Sequence, residues 1–427
     1  MKAIGIDLGT TSICGVVIDT DTGKVLRSRT ENSNAFIPDT APWERMQSPE
    51  KILTLATDIL DGFLTDDIAC IGVTGQMHGI VYTDQDGIAV SPLYTWQDGR
   101  GNLPFGDTTY AEHLGSHAGY GHVTDFYNRQ NGLVPPTAVG YCTIHDYLVM
   151  RLCGLKKAVI HVSDAASFGN FDLITNTCSY DVEMNVVADY RIAGTYKGVP
   201  VSVAIGDNQA SVFSCLSTTD DVLINVGTGS QVSVISDTVV TANGLETRPY
   251  FENKYLIVGA ALCGGKAFAV LKDFYAKLLS YVTDVSGGEV YGMMDTMLET
   301  IDSTTLAVDT RFEGTRADKT LRGSITGIST ENFTPEHLTY GVLQGMMAEL
   351  HEMYAAMQTP CTGIVGSGNG IRKNPTLARI AERQFGGKLK VPAHTEEAAF
   401  GAALFALIAA GHFDNMEAVR SIIAYEE

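Results

Sequence analysis

Positive charge is scarce in this chain. Lys and Arg total 29 against 49 Asp and Glu, a formal net charge of −20. A nucleic-acid backbone or an anionic membrane surface would be repelled by that balance. Tryptophan occurs only twice. The eight cysteines are scattered, with no Cys-x-x-Cys pair and none at metal spacing with His. That excludes a zinc module and a disulfide framework, and leaves reduced core thiols in a cytoplasmic protein as the expectation. Long apolar runs are missing too. The longest, Ala398 to Ala410, falls well short of the roughly 20 residues of a membrane span, and its small residues suggest a buried helix. Met1 leads directly into Lys2-Ala3-Ile4-Gly5-Ile6, which reads as a strand, so no secretory leader is expected. With 45% hydrophobic and 18% charged residues, global disorder is excluded.

What is present in quantity is length and glycine. The 427 residues suit two domains better than one core. Several of the 44 glycines cluster at the ends of apolar, β-branched runs. Ile4 to Asp19 reads as a strand–turn–strand around Gly9-Thr10-Thr11. Ser48-Pro49-Glu50 opens a helix to about Leu64. Ile68 to Thr74 reads as a buried strand ending at Gly75-Gln76-Met77-His78-Gly79. Residues 91 to 135 show no period and read as a long loop region. Thr143 to Leu152 reads as helix, and Pro200 to Ile205 as a strand stopping at Gly206-Asp207-Asn208 before another helix. Thr334 and Pro335 start a helix to about Met357, and Thr395-Glu396-Glu397 caps one that ends at Gly411.

Half a chain length on, the opening motif returns. Ile6-Asp7-Leu8-Gly9-Thr10-Thr11-Ser12 is echoed by Ile224-Asn225-Val226-Gly227-Thr228-Gly229-Ser230. Each copy lies between two strand-like runs. A duplication predicts two domains of one fold, 1–217 and 218–427, with both turns facing a shared cleft. Glycine lets backbone N–H groups reach phosphate oxygens and Thr adds hydroxyl donors, so a matched pair of such turns suits a polyphosphate. No Gly-Lys-Ser/Thr follows either turn, and no Gly-x-Gly-x-x-Gly joins a strand to a helix. Walker-type and dinucleotide-type sites are therefore not expected. Asp7, just before the first turn, is placed to hold Mg²⁺. Asp207, at a strand end before a helix, is placed to take a proton from an attacking hydroxyl, unless it only caps that helix. His78, Trp96, Asp98 and Arg100 combine polar groups with a ring face, as a sugar site requires, or are packing residues.

In order along the chain, IDLGTTS, GQMHG, TWQDGR, SDAAS, GDNQAS, NVGTGSQ, GSITGI and EEAAFGAA resemble the motifs of the FGGY carbohydrate kinases. The resemblance runs from Ile4 to about Ala410. It implies an α/β fold of two actin-like (ribonuclease H-like) ATPase domains with an interdomain cleft. It implies ATP and Mg²⁺ as cofactors, with transfer to the terminal hydroxyl of a ketose. By the resemblance GQMHG marks the ketose-phosphorylating branch as a whole, and TWQDGR with Gly264-Gly265 favours sedoheptulose over xylulose. By the resemblance the catalytic base is Asp207. The phosphate loops are Gly9, Thr10 and Thr11, then Gly227 and Thr228, with Gly264 and Gly265 near the nucleotide. The adenosine end falls at Gly366, Gly368, Asn369 and Asn374. The sugar side comprises Gln76, Met77, His78, Trp96, Asp98 and Asp207, and the metal side Asp7 and Asp207. Departures are Thr143 where many members carry Lys, Lys266 where Asn is expected, and Gly341 where Ala or Ser is usual. A homodimer is carried without a surface patch to name. The rival readings are a chaperone or filament ATPase on the same core, and a non-catalytic sugar sensor.

Overall fold

The computed structural model describes residues 1–284, 286–315 and 318–426. The chain forms two compact units. Unit 1 comprises Met1–Ser217, Arg248–Lys254 and His394–Ala424. Unit 2 comprises Thr218–Thr247, Tyr255–Ala393 and the C-terminal end from Tyr425.

In unit 1, β1 (Lys2–Leu8), β2 (Ser12–Asp19) and β3 (Val25–Asn32) form an antiparallel meander. Helix α1 (Pro49–Phe63) starts at Ser48, whose side chain caps the Lys51 amide as the sequence predicts. Strand β4 (Ile68–Gly75) lies parallel to β1. Two helices follow, α2 (Ile144–Leu152) and α3 (Val162–Ser167). The sheet is completed by β5 (Ile192–Tyr196), β6 (Val199–Ser202) and the short β7 (Ile205–Gly206), in the order β5-β6-β4-β1-β2-β3 with β7 beside β4. Helix α4 (Asp207–Cys215) follows β7 without a loop.

Unit 2 repeats this plan. It has β8 (Asp221–Val226), β9 (Ser230–Ser236), β10 (Leu245–Pro249, whose last two residues count with unit 1) and β11 (Tyr255–Ala261), then helices α5 (Gly264–Leu279), α6 (Gly287–Glu299) and α7 (Pro335–Met357). After these come β12 (Gly363–Ser367), α8 (Gly368–Lys373), α9 (Pro375–Phe385) and β13 (Leu389–Lys390). Its sheet order is β10-β11-β9-β8-β12-β13. The pairs β11–β9 and β9–β8 are antiparallel, and β8–β12 and β12–β13 are parallel. Unit 1 has the same senses through β3–β2, β2–β1, β1–β4 and β4–β6. The sequence echo is thus matched by a repeat of sheet topology.

The last long helix, α10 (Glu397–Ala409), belongs to unit 1 and not to the second half where the sequence reading put it. Ten of its residues are buried, so the apolar run of the sequence is a core helix. Its small residues let it approach the sheet. A methyl group on Gly5 or Gly72 would run into the Ala399 or Ala402 carbonyl, and one on Gly401 into that of Ala210. That contact is what fixes the helix in unit 1. Its N-cap is Glu396, one residue later than expected, and Thr395 does not cap it. All eight cysteines are free, and no helix among the described residues is long and apolar enough to cross a membrane.

Residues 91 to 135 are more ordered than their pattern suggests. They include a helix over Gly121–Gln130 that buries His122, Thr124, Asp125 and Asn128. A polar buried face leaves no apolar period to read.

Candidate functional site

Three parallel strands bring the unit 1 residues together. Leu8 pairs with Gly75, and Gly75 with Gly206, so β1, β4 and β7 end in one row. The Gly9-Thr10-Thr11 turn, the Gln76-Met77-His78 segment and Asp207 therefore leave the same sheet edge, where α/β sheets place ligands. Asp7 sits one position back, opposite Thr74.

Asp207 is the first residue of α4, and the N-cap is Gly206. The capping alternative for Asp207 is thereby set aside. Its backbone is held through the Gly206 amide, which donates to Ser163 Oγ at 3.1 Å. The Met77 thioether and Gln209 Oε1 lie where a Cβ on Gly206 would fall, so a side chain there would have to displace them. Burial raises the pKa of the Asp207 carboxyl, opposed by the charges of His145 and Arg248. Burial pushes Asp7 up to about 7; Asp207 adds to the rise, and His145 opposes it. Two carboxylates close enough to repel each other form a site that a cation relieves. The Asp7 Oδ1 atom is buried without a hydrogen-bond partner, as fits a metal-facing oxygen. No cluster of three metal-ligating side chains occurs among the described residues. That suits Mg²⁺, which takes one or two carboxylates and completes its shell with water and phosphate oxygens.

Sequence reasoning missed the residues behind these carboxylates. His145 and Asp164 are fully buried and form an ion pair at 2.9 Å. Burial favours neutral His145, but Asp164, Asp146 and Asp207 outweigh it and raise its pKa to about 9. The two stand on different helices, α2 and α3, so no local spacing pointed to the pair. Thr143, one of the departures, caps that helix in a reciprocal box with Asp146.

The sugar-side candidates divide. Trp96, 47% exposed, donates from Nε1 to Thr10 Oγ1 at 2.9 Å. Thr10 Oγ1 lies 3.4 Å from Gln76 Oε1, and Gln76 Nε2 donates to Gln47 Oε1 at 2.9 Å. Gln47, a second missed residue, donates to the Thr10 carbonyl at 2.6 Å. His78 adopts a left-handed conformation (φ 73°), sparse for a side-chain-bearing residue. It is held there by its amide on Ser167 Oγ, by Nδ1 at 2.7 Å from the Ser167 carbonyl, and by stacking on Tyr120 at 4.2 Å. A carbonyl partner requires the proton on Nδ1, which makes Nε2 the acceptor. Asp98 departs from the expectation. It is 1% exposed, and its two oxygens accept from the Arg45 amide and from the Arg100 amide and guanidinium. Those bonds use the lone pairs a sugar hydroxyl would need, and they anchor the loop.

In unit 2, a cavity of about 890 Å³ is lined by Gly227, Thr228, Gly265, Gly368, Asn369 and Asn374 among the expected residues. Gly264 and Gly366 are not in its wall. A methyl group on Gly264 would strike Ser230, and one on Gly366 would meet Ile371 and Leu389. Both glycines serve packing behind the wall. Gly265 N donates to the Gly227 carbonyl at 3.1 Å and Lys266 N to that of Thr228 at 3.0 Å, which docks the start of α5 on the turn. Gly368 has φ 80° and passes against Val226. The sequence reading missed Phe268, Tyr291 and Lys373, which also line the cavity, as does Lys266, which pairs with Glu313. Gly341 packs against Val308 and the Leu306 carbonyl.

Residues 2–103 match the N-terminal domain of the FGGY family of carbohydrate kinases, and residues 222–410 its C-terminal domain. The chain is 30% identical to sedoheptulokinase of Homo sapiens, covering 95% of this chain and 97% of that protein. It is 29% identical to that of Mus musculus over the same shares. The fold matches the xylulose kinase of Rhodospirillum rubrum with a TM-score of 0.85 at 20% identity, covering 100% of this chain and 93% of that one. Two matched domains over two repeats of an actin-like sheet leave one assignment: the chain belongs to the FGGY carbohydrate kinases.

Proposed function

We propose that this ATP-dependent sugar kinase phosphorylates the terminal hydroxyl of a ketose, sedoheptulose first and xylulose as the second reading. The identity to two sedoheptulokinases along nearly the whole chain supports the order. The observation that carries the site is the row Leu8–Gly75–Gly206, which brings Asp207, Asp7, the first Gly-Thr turn and the Gln76–His78 segment to one edge.

Asp207 orients the terminal hydroxyl and accepts its proton as the oxygen attacks phosphorus. Its raised pKa makes it a better base than an exposed carboxylate, while His145 and Arg248 keep the charged form accessible. Asp7 and Asp207 would hold Mg²⁺, which would offset charge on the β- and γ-phosphates. In unit 1, backbone N–H groups and hydroxyls of Gly9, Thr10 and Thr11 are suited to phosphate oxygens, and in unit 2 those of Gly227 and Thr228 are. The unit 2 cavity takes the nucleoside between Gly265, Gly368, Asn369 and Asn374. Gln76, Met77, His78 and Trp96 form the sugar side. Free thiols throughout suit the cytoplasm.

ADP release measured with sedoheptulose, xylulose, ribulose, fructose, gluconate and glycerol tests this. We expect sedoheptulose to give the highest kcat/KM. A higher value for xylulose moves the assignment to the second reading, and no acceleration by any sugar removes the kinase role.

A further inference from the structure

A lysine in the first turn of a helix is opposed by the helix dipole, which presents positive charge there. Helix α5 nevertheless carries Lys266 as its third residue, with no acidic residue in that turn and no side chain capping it. The other lysine of the unit 2 cavity wall, Lys373, stands in the last turn of α8, where the dipole favours a cation. Its own helix accounts for Lys373, and does not account for Lys266. The backbone of Lys266 is fixed on the second Gly-Thr turn, because its amide donates to the Thr228 carbonyl at 3.0 Å. Its side chain is half-exposed and its ammonium pairs with Glu313, which is equally exposed. Among the described residues, the charged groups of the wall are Lys266, Lys373 and Asp295. Lys373 and Asp295 cancel in sum. The charge that the cavity offers a polyanion therefore depends on whether Glu313 neutralises Lys266.

We propose that Lys266 binds the phosphate chain of the nucleotide, and that Glu313 competes with the phosphates for its ammonium. This rests on the nucleotide reading of the unit 2 cavity given above. The four-carbon stem lets the ammonium swing while the amide stays on Thr228. An exposed ion pair contributes little, so opening the Lys266–Glu313 pair costs little, and the half-exposed Glu313 stays hydrated when it is released. A charge-assisted bond to a phosphate oxygen inside the cavity is the stronger of the two. An anion beside Lys266 also relieves the opposition between its charge and the dipole of α5. By the resemblance, Asn is expected at this position. Asn would offer a neutral donor, whereas Lys adds a charge, and Glu313 then sets how much of that charge a nucleotide meets. Glu313 lowers the affinity that Lys266 raises, so the two residues have opposite effects on one ligand.

Calorimetric titration of the full chain with ATP and with adenosine tests the proposal. Lys266→Met keeps the stem and removes the charge, and is expected to weaken ATP binding about tenfold, as for one hydrogen bond to a charged group. Adenosine affinity and the melting temperature should not change. Lys266→Arg should restore most of the ATP affinity. Glu313→Gln should tighten ATP binding by about two- to fivefold, the range of an exposed ion pair. Those opposite signs are what a merely structural pair would not give, since breaking it from either side would have the same effect. The proposal is overturned if Lys266→Met binds ATP as the wild type does, if it loses ATP and adenosine equally, or if Glu313→Gln weakens ATP binding. In each of these cases a wild type that binds ATP leaves the nucleotide reading standing. A wild type that binds no ATP removes that reading and this proposal together.

Discussion

The Trp96 indole N–H donates to the Thr10 hydroxyl at 2.9 Å, tying the aromatic loop to the first Gly-Thr turn. Gln76 and Gln47 complete the linkage from the next strand end and from the segment before α1. A residue read as sugar-binding and a residue read as phosphate-binding thus share one hydrogen bond. Displacing either side chain should disturb both ligands.

That coupling can be measured. Trp96→Phe keeps a ring and removes the donor; Thr10→Val keeps the shape and removes the acceptor. Each should lower kcat/KM by about five- to tenfold, corresponding to one hydrogen bond of about 1 kcal/mol. The double variant should lose little more than either single one. Strictly additive losses in the four-way comparison would show that the bond contributes nothing to catalysis.

Asp207→Asn should reduce turnover by roughly 10³-fold, within the range expected when a general base is lost. ATP affinity by calorimetry should change little, because the unit 2 cavity does not contain this residue. Turnover near that of the wild type would take the base role from Asp207.

Asp98 and Arg100 should behave as a structural pair. Both are buried, and the guanidinium lies 4.2 Å over the Tyr94 ring while also donating to Asn128 Oδ1 at 2.6 Å. Removing one member strands the other charge, at a cost of about 3–5 kcal/mol. Asp98→Asn should therefore lower the urea midpoint strongly. At temperatures where the variant is still folded, its KM for the ketose should stay close to that of the wild type. A stable variant with a raised KM would return Asp98 to the sugar.

The repeat, the strand–turn–strand loops and the helix caps at Ser48 and Thr334 were legible because each rests on local rules of turn and cap chemistry. The placement of α10 was not, since nothing local tells a buried helix which sheet will cover it. The Gly5 and Gly72 contacts that decide it join residues nearly the whole chain apart. The same limit applies to the site. Gly264 and Gly366 share a motif with lining residues, yet their Cα atoms face packed side chains. His145, Asp164 and Gln47 act through partners distant in sequence, and no spacing announces them.

Gly265→Ala tests the unit 2 wall locally. The added methyl would meet the Gly227 carbonyl, which already accepts the Gly265 N–H. The start of α5 must then move off the turn. The KM for ATP should rise at least tenfold, with the ketose KM nearly unchanged. An unaltered ATP affinity would show that this turn takes no part in nucleotide binding.

Acid stability should be governed in part by His122. Burial depresses its pKa to about 4; the Gly169 backbone and Asp125 oppose this only weakly. The ring is stacked on Tyr180 at 4.5 Å and lies against the Cys178 thiol. Because the folded pKa lies below the unfolded value of about 6.5, the unfolded chain binds more protons between pH 4 and 6.5. Stability from this group is complete above pH 6.5 and declines as the pH falls towards 4. At pH 5 the loss amounts to ~2 kcal/mol. Asp7 and Glu349, both pushed up to about 7, act in the opposite sense over part of the same range. The wild-type profile alone therefore mixes the two effects, and a difference between variants separates them. His122→Gln removes the titration and leaves the carboxylates as they are. Its urea midpoint should be lower than that of the wild type at pH 7.5, and the gap should narrow or reverse at pH 5. A gap that stays constant between the two pH values would mean that His122 is not held neutral in the folded chain.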